Sequence, residues 1–353
     1  MKVIIPPGDE AARATAHGRW AACAHPLGGL GLLETALEDI AALTGSADIS
    51  LKPRTLAVFC ADNGVVAQGV TQTGSQVTGI IARALADGTS TVNHMAALAD
   101  CRVLPVDMGI KDFTPHAGVL DRRIGNGTGD ITQGPAMTRG QAERAILTGI
   151  DLAAAEKVRG TRLLAAGEMG IGNTTTAAAV ASALLGVEPE MTVGRGAGLS
   201  DAGLARKRAA VKTALVLNRP DPADPVDVLA KVGGFDIAGL CGLFLGGAIH
   251  RIPVVMDGAI SAAAALCAVR LAPEAGRTVI ASHLSAEPVA ALLLKALGKR
   301  PLITAGMRLG EGTGAVAALP LLDMALAVYE HGSTFTDHGI PAYVPLGDQS
   351  CSR

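Results

Sequence analysis

Aromatic residues are scarce in this chain. They make up 2% of its 353 residues, as five phenylalanines, two tyrosines and one tryptophan. Proteins that bind single-stranded nucleic acid stack the bases on aromatic rings and follow the backbone with a basic groove. Here the formal net charge is −2, with 30 basic side chains against 32 acidic ones. The composition therefore argues against a nucleic-acid partner.

Long uncharged apolar runs are missing too, although hydrophobic residues make up 49% of the chain. No run reaches the roughly 18 residues that a membrane-spanning helix needs. The longest candidates are residues 241–249, which glycines interrupt, and residues 259–269, which follow Asp257. We expect both to be buried in a large core. Because the N-terminus has no apolar signal-peptide stretch, we expect a cytoplasmic protein with no membrane partner.

The spacings of metal sites and dithiol centres are absent as well. The eight histidines show no H-x-x-x-H pattern, and no two cysteines form a C-x-x-C pair. The cysteines are Cys23, Cys60, Cys101, Cys241, Cys267 and Cys351. We therefore predict no metal, and free, buried thiols in a reducing compartment.

The sequence does contain a regular alternation of short apolar runs and helical segments, from about residue 55 to residue 330. The predicted strands are 55–60, 102–106, 163–166, 254–256, 279–281 and 302–304, and residues 111–138 are predicted to form a long loop. Such alternation is typical of a parallel α/β sheet with helices on both faces. The polar loops all follow strands, so we expect them to lie together at one edge of the sheet.

One of these loops, residues 167–175 with the sequence GEMGIGNTT, joins the strand at 163–166 to an Ala-rich helix predicted from residue 176. A glycine turn ahead of a helix directs backbone N–H groups and the positive end of the helix dipole at a ligand. The loop matches neither the dinucleotide fingerprint nor the P-loop. We interpret it as an anion-binding site. A site that only binds phosphate has no need of the Glu168 carboxylate, so this residue suggests a catalytic role for the loop. The alternative is a turn that only joins strand to helix.

A second glutamate, Glu311, lies between glycines in the segment 310–314, again after a predicted strand. It is either a general base whose pKa is set by a partly buried pocket, or a helix N-terminal carboxylate stabilised by the dipole by roughly 0.3–1 kcal/mol. Spacing alone leaves both open. The basic run at residues 206–208 is similarly ambiguous, because either Arg206 or Lys207 could reach a phosphate from a helix.

Several segments of the chain together resemble one family. They are 167–175 (GEMGIGNTT), 193–196 (VGRG), 203–207 (GLARK), 232–235 (VGGF), 251–255 (RIPVV), 282–288 (SHLSAEP) and 308–315 (RLGEGTGA). This ordered set is similar to the nicotinate-nucleotide:5,6-dimethylbenzimidazole phosphoribosyltransferase family of cobalamin biosynthesis. The resemblance extends over nearly the whole chain, from about residue 55 to residue 330.

The resemblance implies a Rossmann-like open parallel sheet with helices on both faces, and a homodimer. It also implies a small, mostly helical domain formed by residues 1–50 with 331–353, beside a large catalytic domain at residues 51–330. In the implied reaction, the ribose phosphate of nicotinate mononucleotide passes to a benzimidazole nitrogen, which gives an α-ribotide and free nicotinate. No cofactor and no metal are required.

The resemblance also implies roles for individual residues. Glu311 becomes the general base, and Glu168 lies beside the ribose. The implied contacts to the ribotide and its phosphate are Gly170, Ile171, Gly172, Asn173, Thr174, Gly196, Lys207, Ser282, Leu309 and Gly310. The chemistry of the reaction agrees with these roles. The departing pyridinium is already cationic and needs no general acid, whereas the incoming base must lose an N–H proton to a general base. A second carboxylate would stabilise positive charge that develops at the ribose carbon.

The sequence departs from the family pattern at residues 25–31, at Asn63 where histidine is usual, and in the segments 71–76 and 90–94. The loops at 61–76 resemble the region that holds the incoming base, and we expect Asp62 and Gln76 to contact it. The alternative acceptor is adenine or another benzimidazole. Two other classes of function are alternatives to a transferase. A ribotide-binding regulator without activity would have lost Glu168 or Glu311. A small-molecule kinase would need an ATP site.

Overall fold

The central sheet forms from apolar runs whose side chains are almost all buried. The computed structural model describes residues 3–343. Its strands are β1 (Arg54–Ala61), β2 (Cys101–Gly109), β3 (Leu120–Asp121), β4 (Leu163–Met169), β5 (Val254–Met256) and β6 (Val279–Ala281). All pairs are parallel, in the order β3-β2-β1-β4-β5-β6. This order is that of the Rossmann fold, in which ligands bind where the strand order reverses, here between β1 and β4.

The other regular elements are helices. In the described chain they are α1 (Glu10–Ala22), α2 (Leu32–Thr44), α3 (Gln76–Ala86), α4 (Thr91–Leu98), α5 (Arg139–Arg159), α6 (Asn173–Leu185), α7 (Pro189–Thr192), α8 (Asp201–Asn218), α9 (Pro225–Val232), α10 (Phe235–His250), α11 (Ala259–Leu271), α12 (Val289–Leu297) and α13 (Thr313–His331). Two 3-10 helices span Gly64–Gln68 and Pro273–Thr278. The predicted α/β class with a parallel sheet is confirmed.

Two details of the predicted sheet are wrong. Residues 302–304 form no regular strand: Ile303 makes one isolated bridge to His283, beyond the end of β6. On that side the sheet ends at β6. At the opposite edge lies β3, inside the segment predicted to be a long loop, where it pairs with Val106 and Asp107 of β2. A two-residue strand has no apolar periodicity of its own. Helix α6 also begins earlier than predicted, at Asn173, so the polar end of the glycine turn forms its first turn.

The apolar segments 241–249 and 259–269 lie in α10 and α11, and almost all of their side chains are buried, as expected. The five cysteines within the described residues are free and buried, which confirms that prediction; Cys351 lies outside the described residues. By length and composition alone, α13 could cross a membrane. Half of its most apolar stretch is buried inside the protein, and core helices meet the same criterion.

The described chain divides into two compact units. Residues 3–6 and 51–318 form the larger, which contains the sheet, and residues 7–50 and 319–343 form the smaller. In the smaller unit, the ring of Trp20 on α1 packs 5.2 Å from the ring of Tyr329. The Tyr329 hydroxyl donates to the carbonyl of Ala47 at 2.9 Å. These contacts bury aromatic surface and satisfy the hydroxyl group that is buried with it.

Helices α5 and α10 approach each other closely at glycines. A Cβ added at Gly242 would overlap the carbonyl oxygen of Ile146 and lie 3.0 Å from the Cα of Gly149. We therefore expect Gly242→Ala to lower the free energy of unfolding by about 1–3 kcal/mol, because backbones in a packed core cannot move apart freely. Thermal unfolding checks this, and we expect a Tm several degrees lower.

The matched control is Gly140→Ala, near the start of α5. A Cβ there would meet only the Arg144 side chain, at 3.9 Å. Alanine favours a helix over glycine by roughly 0.5–1 kcal/mol, so the control should be neutral or slightly more stable. An equal Tm for the two variants would contradict the close packing.

Candidate active site

A cavity of about 460 Å³ lies at the carboxyl edge of the sheet, within the larger unit. Both glutamate turns open into it, together with the loops that follow β5 and β6. Its walls are contributed by residues 70–73, 77, 81, 168–174, 195–197, 199, 207, 257–261, 283, 285, 287 and 308–311. Cavities of 300–1,000 Å³ are typical of small-molecule sites.

Glu168 stands at the end of β4 and is 6% exposed. The side-chain amide of Asn173 donates to its Oε2 and also to Oδ2 of Asp236, the latter at 3.0 Å. Burial raises the pKa of Glu168 well above its usual value, and the nearby carboxylates of Asp257, Asp236 and Glu311 raise it further. The buried Asp236 has its pKa raised to about 6 for the same reason. A bound cation would stabilise the ionised form of Glu168.

Glu311 has a left-handed backbone, with φ of +60°, between Gly310 at +87° and Gly312 at +83°. Its backbone N–H donates to the carbonyl of Glu168 at 3.2 Å, so the two glutamate turns are in contact. Such a conformation is costly for a residue with a Cβ and tends to persist at functional sites. Burial raises the pKa of Glu311, and the Ser90 hydroxyl and the Val92 N–H offset part of this effect.

One carboxylate oxygen of Glu311, Oε2, is buried and accepts no hydrogen bond from any described residue. Buried polar atoms are normally paired, so an unpaired carboxylate oxygen in a cavity wall has its acceptor capacity free for a ligand. A raised pKa brings the proton affinity of this carboxylate closer to that of a base working near neutral pH.

Lys207 is fully buried and lines the same cavity, where its Nζ donates to Oγ1 of Thr174 at 2.7 Å. Burial lowers its pKa to about 8, against a smaller opposing effect of Glu287. The neighbouring Arg206 is exposed and donates from Nε to the carbonyl of Gly69 at 3.3 Å. Of the two residues between which the sequence could not decide, Lys207 therefore lines the cavity.

Backbone N–H groups complete this end of the cavity. Among the described residues, the N–H groups of Gly172 and Thr174 find no partner, and both lie at the start of α6. The chain at Gly196 passes close by with φ of +53°: a Cβ there would lie 3.1 Å from Thr174 Oγ1 and 3.4 Å from Lys207 Nζ. A buried cation beside free N–H groups at a helix N-terminus is the arrangement that binds phosphate.

Most of the predicted site residues line this cavity. They are Glu168, Gly170, Ile171, Gly172, Asn173, Thr174, Gly196, Lys207, Leu309, Gly310 and Glu311. The turn at 167–175 and the turn at 310–314, which lie far apart in the sequence, are thus brought together.

Three predicted residues do not line the cavity. Gln76 is exposed at the start of α3. Asp62 is buried, with its oxygens accepting from the Thr78 hydroxyl at 2.7 Å and the Lys111 N–H at 2.8 Å. Ser282 is buried and hydrogen-bonded to its neighbour His283 at 3.1 Å. The wall that the sequence assigned to Gln76 and Asp62 is formed instead by residues 70–73, 77 and 81.

Asp257 and Glu287 are cavity residues that the sequence reasoning missed. Asp257 directly follows β5, so a carboxylate at the carboxyl end of a strand was the available signal. Its partners, the N–H groups of Gly312 and Gly314, lie more than fifty residues further along the chain. Within the described residues, no group of three or more histidine, cysteine or acidic side chains is arranged to hold a metal ion.

The strand order, and a cavity lined by a buried lysine as well as by Glu168 and Glu311, define an α/β enzyme that acts on an anionic small molecule. A family model described as phosphoribosyltransferase matches residues 5–340. The chain belongs to this phosphoribosyltransferase family, which confirms the resemblance predicted from its sequence.

Individual relatives agree with that membership. A nicotinate-nucleotide–dimethylbenzimidazole phosphoribosyltransferase from Ruminiclostridium cellulolyticum is 45% identical over 321 residues, which cover 91% of each chain. The enzyme of the same name from Desulforudis audaxviator is 44% identical over 95% of this chain and 96% of its own. The crystal structure of CobT from Thermus thermophilus superposes with a TM-score of 0.89 at 42% identity, covering 94% of this chain and all of that one.

Proposed function

We propose that this enzyme transfers the ribose 5-phosphate of nicotinate mononucleotide to 5,6-dimethylbenzimidazole. The products are nicotinate and the α-ribazole 5′-phosphate that becomes the lower ligand of cobalamin. The observation that carries the proposal is the single cavity in which Glu168, Glu311 and the Lys207 anion site meet. The names of the relatives support this substrate pair.

The phosphate of the ribotide binds at the Lys207 end. Its dianion accepts from the Lys207 ammonium and the free N–H groups of Gly172 and Thr174, which are aligned with the dipole of α6. Charge-assisted hydrogen bonds of this kind contribute roughly 1.5–3 kcal/mol each. Binding also removes the cost of holding a buried ammonium without a full counter-charge.

The reacting carbon lies between the two glutamates. The bond from C1′ of the ribose to the pyridinium nitrogen breaks, and its electron pair neutralises the ring as nicotinate leaves. A ring nitrogen of the incoming base forms the new bond to C1′, and the N–H proton of that base passes to Glu311. The carboxylate of Glu168 stabilises the positive charge shared by the pyridinium and the ribose in the transition state.

The incoming base lies against an aliphatic wall. Val70, Val77 and Ile81 line the cavity on this side, and a flat apolar heterocycle suits them. We propose that Asp62 supports this wall indirectly. It accepts from the Thr78 hydroxyl, which accepts in turn from the N–H of Ile171 at 3.1 Å, and so connects the base loop to the phosphate turn. Gln76, exposed on α3, is a weaker candidate for a base contact.

The test is a reaction of the purified protein with nicotinate mononucleotide and an equimolar mixture of dimethylbenzimidazole, benzimidazole and adenine, without added metal. We expect stoichiometric nicotinate, with the dimethylbenzimidazole ribotide as the main product by mass spectrometry. A dominant adenine or benzimidazole ribotide would support the alternative acceptor. Nicotinate release without any ribotide, ribotide binding without turnover, or a requirement for ATP would reject the transfer reaction.

The family resemblance also supports a homodimer in the cytoplasm, as a proposal. Sedimentation at micromolar concentration distinguishes a dimer from the 35.5 kDa monomer. Fractionation of expressing cells tests the location.

A further inference from the structure

The carboxylate of Asp257 accepts hydrogen bonds from the start of α13, but it has no part in the reaction described above. Its Oδ1 accepts from the N–H of Gly314 at 2.7 Å and of Ala315 at 3.2 Å, and its Oδ2 accepts from the N–H of Gly312 at 3.2 Å. The side chain is buried, at 3% exposure. It thus satisfies N–H groups that a helix start leaves without intrahelical partners.

These N–H groups immediately follow Glu311. Gly310, Glu311 and Gly312 all have positive φ, and the side chain of Glu311 keeps one oxygen unpaired. On one side the turn is fixed by the hydrogen bond from the Glu311 N–H to the Glu168 carbonyl. On the other side it is fixed by Asp257, which therefore restrains a backbone that would otherwise relax.

Close packing makes this anchor rigid. A Cβ added at Gly314 would overlap the His283 ring and lie 2.8 Å from Oδ1 of Asp257. Nδ1 of His283 lies 3.8 Å from the same oxygen and is hydrogen-bonded to the Ser282 hydroxyl at 3.1 Å. The turn can move towards neither β5 nor β6 without displacing these groups.

Ionisable groups from several elements line the cavity together with Glu311. They are the carboxyl groups of Glu168 on β4, Asp257 after β5 and Glu287 before α12, and the basic side chains of His283 after β6, Arg308 in the Glu311 loop, and Arg195 and Lys207. Burial raises the pKa of Asp257, and His283 offsets part of that effect. When Asp257 is ionised, its charge adds to the effect of burial in raising the pKa of Glu311 and of Glu168. Asp257 therefore affects both the place of Glu311 and its affinity for a proton.

We propose that Asp257 is the positioning residue of the transfer reaction: by accepting the N–H groups of Gly312, Gly314 and Ala315 it holds the carboxylate of Glu311 where the incoming base gives up its proton. Asp257 touches no reacting atom in this role. The inference rests on the proposed function, since it assigns a task to a residue of the same site.

The test is Asp257→Asn, which keeps the size of the side chain. Whichever way the amide is oriented, its NH2 group faces at least one of the three N–H donors, so the turn shifts. We expect kcat to fall by about 10- to 100-fold, as for a small misplacement of a catalytic group. KM for nicotinate mononucleotide should change little, because the Lys207 end is untouched.

A pH profile separates this role from a merely structural one. Removing the Asp257 charge lowers the pKa of Glu311, so Glu311 stays ionised to lower pH and the acid limb of kcat moves down. A ¹³C-NMR titration of labelled glutamate carboxyls, with Glu311→Gln to assign the signal, reports the same shift without turnover. The matched control is Asp224→Asn, because Asp224 caps α9 through the N–H groups of Val226 and Asp227 at 3.1 and 3.3 Å and lies outside the cavity.

A wild-type enzyme that releases no nicotinate in the base mixture overturns the proposed function itself. An active wild type whose Asp257→Asn variant keeps kcat, or keeps the acid limb in place, overturns the positioning role alone. Two further results would reject the positioning role, because Asp257 would then only support the fold. One is a loss of kcat with an equal rise in KM, and the other is a Glu311 titration that does not move in the variant.

Discussion

Glu311→Gln is expected to fold normally and to lose at least roughly 100-fold in kcat, the effect typical of removing a general base. Glutamine has the shape of glutamate, so the left-handed turn between Gly310 and Gly312 keeps its geometry. It cannot accept the N–H proton of the incoming base. Because the proposed phosphate site at Lys207 is left unchanged, KM for nicotinate mononucleotide should stay within a few-fold of wild type.

The pH dependence of this variant is a second part of the same result. Burial raises the pKa of Glu311, so the wild-type kcat should fall as pH decreases through that pKa and the base becomes protonated. In the glutamine variant the part of this acid limb that belongs to Glu311 should disappear, while protonation of Glu168, whose pKa burial also raises, should still lower kcat. Glu143→Gln is the matched control, because Glu143 is partly exposed on α5 and lies outside the cavity, and it should retain wild-type kinetics. A Glu311→Gln enzyme with near-normal turnover would refute the general-base role.

The sequence was sufficient to predict the strands that are buried on both faces. In β1, β4, β5 and β6 every or almost every residue is buried, and strands buried on both faces of a parallel sheet are mostly apolar. β3 was missed because two paired residues at a sheet edge need no apolar pattern. The segment 302–304 was overpredicted because its apolar residues make one bridge and not a ladder.

The position of the site was predictable for a topological reason. Parallel strands place their carboxyl ends and the loops that follow at one edge, so Glu168 at the end of β4 could be assigned to that edge from strand order alone. Glu311 was assigned there through the overpredicted strand at 302–304, and its place beside Glu168 depends on the hydrogen bond between the two turns. The direction of individual side chains was not predictable. Gln76 and Asp62 lie on the predicted loop, but one side chain is exposed and the other is engaged by Thr78 and Lys111. Such choices depend on packing between distant segments.

The other large effect is expected for Lys207→Met, which should weaken binding of the ribotide but stabilise the ligand-free protein. Lys207→Met should raise KM for nicotinate mononucleotide by about 10- to 100-fold, since a charge-assisted hydrogen bond to phosphate contributes roughly 1.5–3 kcal/mol. The same substitution should stabilise the ligand-free protein at pH 7. Burial has lowered the Lys207 pKa from 10.5 to about 8, which means that folding disfavours the ammonium.

The sign of this stability effect follows from the direction of the pKa shift. A lysine whose pKa is lower in the folded state destabilises the fold fully below about pH 8, and the penalty disappears as the pH rises from there to 10.5. Calorimetry should therefore find the variant more stable by on the order of 1–3 kcal/mol at pH 7, less the contribution of the lost Thr174 hydrogen bond. The difference should shrink above pH 8.

The control is Arg206→Met. Arg206 is adjacent in sequence but exposed, so this substitution should change neither KM nor Tm appreciably. A Lys207→Met protein that is less stable than wild type at pH 7 would mean that the fold itself stabilises the buried ammonium. A Lys207→Met protein that binds the ribotide as tightly as wild type does would mean that the phosphate site lies elsewhere in the cavity.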